Sequence, residues 1–340
     1  MTSRETVART IECRAPERVP FASPLFGPSD FFHLSLDTPR YTPRKPGYTE
    51  WGHTMAHSEI PNNGVPVDVA IADWEMLDTF AWPDPTNPER YTSITARLAR
   101  PESRDRYCHL GWFVGLYDTV YRLHEFDDCM RDFHLEPAKM KRLIAKVADF
   151  MLGAIDELVS RFPGRIHGTL LPDDWGGQAS TFMGIPMWEE FFGGHYRRIG
   201  KHIHDAGMHF WLHSDGRIND LLDTLIDCGV DVINMPSPQM VGIDQIAQGF
   251  AGRICFANGL DIQSTLVTGS DDEIEEEARL LVERWNTPRG GFIPGACGYL
   301  ATIGTDVHRW LVGLNALRKY AWGLPPMTRQ DAKEYIARLQ

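Results

Sequence analysis

Positive charge is in short supply in this chain. Over 340 residues, 34 Lys and Arg face 46 Asp and Glu, a formal net charge of −12 at pH 7. No local basic run makes up the deficit, which argues against a nucleic-acid partner, since phosphate neutralisation needs Lys and Arg gathered on one face. Long apolar runs are missing as well. No window approaches the roughly 18 consecutive apolar residues that span a bilayer, so no membrane partner is expected. The opening Met1–Arg9 stretch alternates charged and apolar residues, without the continuous apolar core of a secretion signal, and a cytoplasmic location is the expectation. The six cysteines (Cys13, Cys108, Cys129, Cys228, Cys255 and Cys297) contain no Cys-x-x-Cys pair. That fits reduced thiols in a large cytosolic protein better than a disulfide framework.

Several catalytic signatures are lacking too. No apparent strand runs into a Gly-x-Gly-x-x-Gly turn, and there is no phosphate loop ending in Gly-Lys-Ser/Thr. The Gly-x-Ser-x-Gly elbow of serine hydrolases is absent. His53 and His57 are four apart, but no Glu follows His53 as a zinc-protease helix would require.

What is present is a regular alternation of short apolar runs and longer helical patterns from about Arg106 onward. It predicts strands at 107–114, 166–171, 209–213, 230–234, 254–257 and 291–294, with helices near 136–161, 187–206, 218–228, 271–285 and 307–322. Ser270 followed by Asp271, Asp272 and Glu273 places a capping hydroxyl and carboxylates where a helix dipole is positive. The first third is broken by prolines, from Pro43 and Pro46 to Pro85 and Pro88. Strands at 18–26 and 67–71 would bring the count to about eight, the number that closes a (β/α)8 TIM barrel. The expected organisation is α/β: one barrel domain over 1–340, with 1–105 a loop-rich N-terminal extension that supplies the first barrel strands.

In a barrel the chemistry sits at the C-terminal ends of strands. Three ends carry polar clusters: Asp173-Asp174-Trp175-Gly176-Gly177-Gln178, His213-Ser214-Asp215-Gly216, and Gly295-Ala296-Cys297-Gly298. His213 and Asp215 project to the same side, at the end of the buried run Phe210-Trp211-Leu212, where unpaired polar groups are costly. With a Cys297 thiolate they would make an N/O/S set for a catalytic zinc with one open position. The alternative is a His213 to Asp215 hydrogen bond with Cys297 as a packed side chain. Asp173 or Asp174 could act as a general base or orient a substrate donor, or could simply form the turn. Trp175 and Gln178 would supply a flat wall and an amide, while Asn234, Asn258 and Asp261, near two further strand ends, could anchor a polar substrate edge or only close loops.

Taken in order, these blocks resemble the uroporphyrinogen decarboxylase superfamily, within it the corrinoid-linked methyltransferases. The likeness begins at Ser3-Arg4-Glu5 through Ala15-Pro16-Glu17-Arg18-Val19-Pro20 and continues with Asp73-Trp74-Glu75-Met76-Leu77-Asp78 and Trp82-Pro83-Asp84-Pro85. The 173–178 block with Trp188-Glu189-Glu190-Phe191-Phe192, the His213-Ser214-Asp215-Gly216 block and Asn258-Gly259-Leu260-Asp261-Ile262-Gln263 complete it. Two departures stand out. Phe21-Ala22-Ser23-Pro24-Leu25-Phe26-Gly27 lacks the Gln-Ala-Gly-Arg and Phe-Ser-Asp features of the decarboxylases proper, and Asp215 stands where thiol-activating methyltransferases have the Cys of His-x-Cys.

The resemblance implies a methyltransferase or demethylase moving a methyl group between a small O- or N-methylated compound and a corrinoid carried on a partner protein. Zinc on His213, Asp215 and Cys297 would be the Lewis acid, and Asp174 or Asp173 would handle a proton or orient the substrate. The alternatives are a metal-independent decarboxylase or lyase on a small carboxylated substrate, with Asp174 and His213 as acid and base, and a non-catalytic small-molecule binder.

Overall fold

The apolar runs that alternate with helical patterns curl into one parallel sheet in this computed structural model, which describes residues 1–41, 47–56, 65–111, 113–296, 300–331 and 333–334. The strands are β1 (Phe31–Leu34), β4 (Tyr107–Leu110), β5 (Gly168–Pro172), β6 (His209–His213), β7 (Val232–Asn234), β8 (Cys255–Asn258) and β9 (Phe292–Pro294), in that spatial order. Between β1 and β4 the chain makes a separate two-stranded antiparallel sheet, β2 (Thr54–Ala56) with β3 (Val65–Asp68). Crossover helices pack outside the curl. The longest, Pro137–Arg161, buries Leu143, Ile144, Val147, Met151 and Ile155 at helical spacing.

The inside of the curl has its own core. Phe31, Tyr107, Leu170, Trp211, Val232, Cys255 and Ile293, one from each of the seven strands, form one buried cluster. Such convergence from every strand is what a TIM-barrel-like curl requires. The first helix, Ser3–Ile11, started by a Thr2/Glu5 capping box, adds Val7 and Ile11 to this cluster. These two side chains stop the end of the lumen where the strands begin. There the polar groups also find partners. The Tyr107 hydroxyl donates to the His167 carbonyl at 2.8 Å, accepts from Trp211 Nε1 at 3.2 Å and lies 2.9 Å from His209 Nδ1. His209 Nε2 in turn faces Glu12 Oε1 at 3.3 Å.

The N-terminal third departs from the sequence expectation. The segment 18–26 is loop and turn, tied down by the Arg18 guanidinium on Asp30, and the first sheet strand lies just beyond it at Phe31–Leu34. The expected strand 67–71 overlaps β3, which pairs with β2 and stays outside the barrel-like sheet. Seven strands therefore line the curl among the described residues, and an eighth is not found. Helices Thr92–Leu98, Leu116–His124, Phe126–Leu135 and Ile243–Phe250 add to those read from the pattern. No helix among the described residues is long and apolar enough to cross a membrane.

Candidate metal centre

The strand-end loops after β5 and β6 are locked together by hydrogen bonds from backbone N–H groups. Arg217 N–H donates to the Gly177 carbonyl at 2.8 Å, Trp175 N–H to Ser214 Oγ at 2.9 Å, and Asp215 N–H to Asp174 Oδ1 at 2.7 Å. Gly216 makes the approach feasible. Its φ is +80°, and a Cβ there would sit 1.9 Å from the Gly176 carbonyl oxygen, so both conformation and space demand glycine.

This lock gathers Asp174, His213 and Asp215, each offering a ligand atom within 4.8 Å of the others, one such cluster among the described residues. His213 Nε2 lies 3.8 Å from Asp174 Oδ1. Its tautomer follows from the far side of the ring. Asn234 donates through Nδ2 to the Ala257 carbonyl at 2.5 Å, which turns its Oδ1 toward His213 Nδ1 at 2.6 Å. Nδ1 therefore donates to Asn234, and Nε2 is left on the side of the two carboxylates, the orientation of a metal-ligating imidazole. Asp215 Oδ1 is buried without a hydrogen-bond partner. Burial and the nearby Asp174 push its carboxyl upward, against the pull of His213. An orphaned carboxylate oxygen beside a second carboxylate and an imidazole lone pair is a donor set that a divalent cation would satisfy.

Hydrogen bonds run from Asp174 back to the helix after β4. Asp118 Oδ1 accepts from Asp174 N–H at 3.3 Å, and its Oδ2 accepts from Arg122 Nη2 at 2.9 Å. Burial raises the Asp118 carboxyl to about 6, with Arg122 pulling the other way. That helix, Leu116–His124, is held at its N-terminus by Asp173, whose oxygens accept from Leu116 N–H at 2.9 Å and Asp118 N–H at 3.0 Å. The Tyr196 hydroxyl donates to the same carboxylate at 2.5 Å. Asp173 is fully buried, and burial, with Asp118 adding to it, pushes its carboxyl up to about 8. Of the adjacent pair, Asp174 faces the open side and Asp173 anchors a helix end.

The triad opens on a cleft of about 780 Å³ lined also by Gly115, Asp118, Arg122, Phe113 and Phe150, and by His53, Glu50 and Trp51 from the segment leading into β2. Other residues singled out in the sequence lie elsewhere. Trp175 is buried, stacked on Tyr117 at 4.6 Å with its Nε1 donating to Tyr196, so it is core rather than cleft wall. Asn258 is buried, bonded on both sides to the Met235 backbone. Asp261, also buried, accepts from the backbone N–H groups of Gln239, Gln263 and Ser264 and shapes that loop. Gln178 pairs with Gln263 at the surface, 2.8 Å apart. Asn234 sets the His213 tautomer. Cys297 lies outside the described residues. Asp118 and Arg122 were not singled out, although the i, i+4 pair directly after a strand end was a readable signal, and His53 was weighed only with His57 as a zinc-protease pair and set aside.

A family model for uroporphyrinogen decarboxylase matches residues 54–314. The chain belongs to the uroporphyrinogen decarboxylase family. Its fold is similar to that of a methyltransferase from Methanosarcina mazei, with TM-score 0.68 and 14% identity over 94% of this chain and 98% of that one. A glycosylated endo-beta-1,4-xylanase from Gloeophyllum trabeum aligns with TM-score 0.42 and 10% identity over 68% of this chain and 82% of the other. A search of curated proteins finds no significant match. Within this uroporphyrinogen decarboxylase-family fold, the Asp174, His213 and Asp215 cluster lies at the C-terminal ends of β5 and β6, where barrel-like enzymes place their chemistry.

Proposed function

We propose that this protein is a methyltransferase or demethylase that moves a methyl group between a small O- or N-methylated compound and a corrinoid held by a partner protein, working at a metal centre on Asp174, His213 and Asp215. The observation that carries it is the convergence of three ligand residues, one of them with an orphaned buried carboxylate oxygen, at a large cleft. The fold likeness to a methyltransferase supports the reaction class. Asp174 takes a ligand position in this reading, beside the His213 and Asp215 of the sequence-level set.

Zinc, when bound, would supply Lewis acidity toward the heteroatom that carries or receives the methyl group. Asn234 holds the His213 ring with Nε2 toward the centre. The backbone of Asp215 fixes Asp174, and Asp118 fixes the Asp174 backbone. The aromatic side chains Phe113, Trp51 and Phe150 give the cleft an apolar wall against which a small organic body can pack, displacing water. The corrinoid would approach from the open side of the cleft on its own carrier protein.

Elemental analysis of protein purified without chelators should find about one zinc per chain, and His213→Ala should lose it. Mixing the protein with a corrinoid and candidate methyl donors should change the corrinoid absorption in the wild type only. Metal-free protein whose His213→Ala variant behaves like wild type defeats the proposal. Carbon dioxide release from candidate acids, without metal, would instead favour decarboxylase chemistry with Asp174 and His213 as acid and base, a pair already 3.8 Å apart.

A further inference from the structure

Beside the metal ligands the cleft has a second polar group, where two side-chain nitrogens have nothing to bond. His53 is 5% exposed, and its Nδ1 is buried without a partner. Arg122 uses Nη2 on Asp118 at 2.9 Å, while its Nε is buried without an acceptor. Both residues line the cleft, and their charges are close enough to influence each other. Burial, with Arg122 adding to it, lowers His53 to about 4, so at neutral pH the ring is uncharged and carries one N–H, which its Nδ1 tautomer presents to an acceptor in the cleft. The other cation nearby is committed. Arg90 donates to both oxygens of Glu50, at 2.9 and 2.5 Å, and to the Asp84 carbonyl at 2.7 Å.

Unsatisfied donors of this kind call for an oxygen acceptor, and a guanidinium favours a carboxylate above other oxygens. Around them Trp51, Phe113, Phe150 and Met55 line the same cleft and suit a flat apolar body. Arg122 retains 28% of its side-chain surface, so side-chain torsions can turn its fork toward the cleft.

We propose that His53 and Arg122 form a carboxylate-binding subsite, and that the molecule handled at the neighbouring centre is a small organic acid with an apolar, ring-sized body. The subsite stands on its own geometry; that its ligand is the molecule handled at the metal centre rests on the methyl-transfer reading. Asp174 and Asp215 would repel an acid in the same cleft, and a divalent cation between them removes that repulsion. Carboxylate binding should therefore tighten when metal is present.

The test is calorimetric titration of the full chain with benzoate and with its neutral isostere benzamide, with and without added Zn²⁺, with metal content measured on the same samples. Benzoate should bind at least about tenfold tighter than benzamide, and more so with zinc. Arg122→Met should remove a preference of about 10- to 100-fold, the range expected for hydrogen bonds to a charged group, while Arg122→Lys restores part of it. His53→Phe should narrow the preference and leaves the Asp118 pair intact, so it decides the matter if Arg122→Met does not fold. Equal binding of acid and amide overturns the subsite, as does a benzoate preference that survives His53→Phe and the folded Arg122 variants. Metal retained with no benzoate preference defeats this inference alone. A benzoate preference without any bound metal defeats the metal-centre reading alone.

Discussion

The two ends of the curled sheet are built from similar residues and treat them in opposite ways. Where the strands begin, Tyr107, Trp211, His209 and Glu12 form a chain of polar contacts sealed by Val7 and Ile11. Where they end, Asp215 Oδ1, His53 Nδ1 and Arg122 Nε are buried and unpartnered. At one end the four side chains bond to one another, which holds the structure. The other leaves its three atoms unpaired at an internal cost, which is expected where a ligand completes the bonding.

That contrast can be broken deliberately. The largest effect should come from His213→Ala, which removes a ligand: stoichiometric metal disappears by elemental analysis, while thermal unfolding of the metal-free protein changes little. Asn234→Leu should come next. It leaves every ligand in place but frees the imidazole, and metal affinity measured by competition with a chelator should fall about 10- to 100-fold. Tyr107→Phe acts at the opposite end. It strands the groups around the hydroxyl and should lower the unfolding free energy by about 1–3 kcal/mol in denaturant titration, with metal stoichiometry unchanged. An effect of Tyr107→Phe on metal, or of Asn234→Leu on metal-free stability of the same size, would erase the distinction.

A further effect appears only on acidification. Burial holds His109, inside the curl, down to about 3, against an ordinary value near 6.5. Between those values the unfolded chain binds a proton that the folded chain refuses, so stability is full above about 6.5 and declines as the pH falls toward 3. One such group contributes a slope of up to about 1.4 kcal/mol per pH unit. His109→Leu should flatten the acid limb of stability against pH; an unchanged slope would show that the ring is more accessible than its burial indicates.

How much of this was legible in the sequence differs between the same regions. Strands β5 to β9 announced themselves because each is a short apolar run bounded by glycine or a helix end, and Asp174, His213 and Asp215 could be located because strand ends are where barrel chemistry sits. The first strand was displaced: Arg18 to Phe26 reads as apolar and extended, yet its role is to carry Arg18 to Asp30 ahead of β1. The roles of Trp175, Asn258 and Asp261 were hidden for a related reason. Sequence shows that a polar or aromatic residue lies near a strand end, but only packing shows whether it turns toward the cleft or supports the loop from below. The second polar group of the cleft was invisible because it joins residue 53, from a proline-broken segment, to residue 122 across the mouth.

The interlock of Gly216 with the Gly176 carbonyl has a consequence for how such proteins can diversify. The two loops that carry Asp174 and Asp215 share backbone hydrogen bonds, so neither can gain or lose a residue without moving the other's ligand. Length variation among relatives should therefore avoid these loops and collect near β2 and β3, which stay out of the main sheet while residues 49–51, 53 and 55 line the cleft. The chemistry would then be inherited as a fixed unit, while the choice of molecule is left to a part of the chain that can be rewritten.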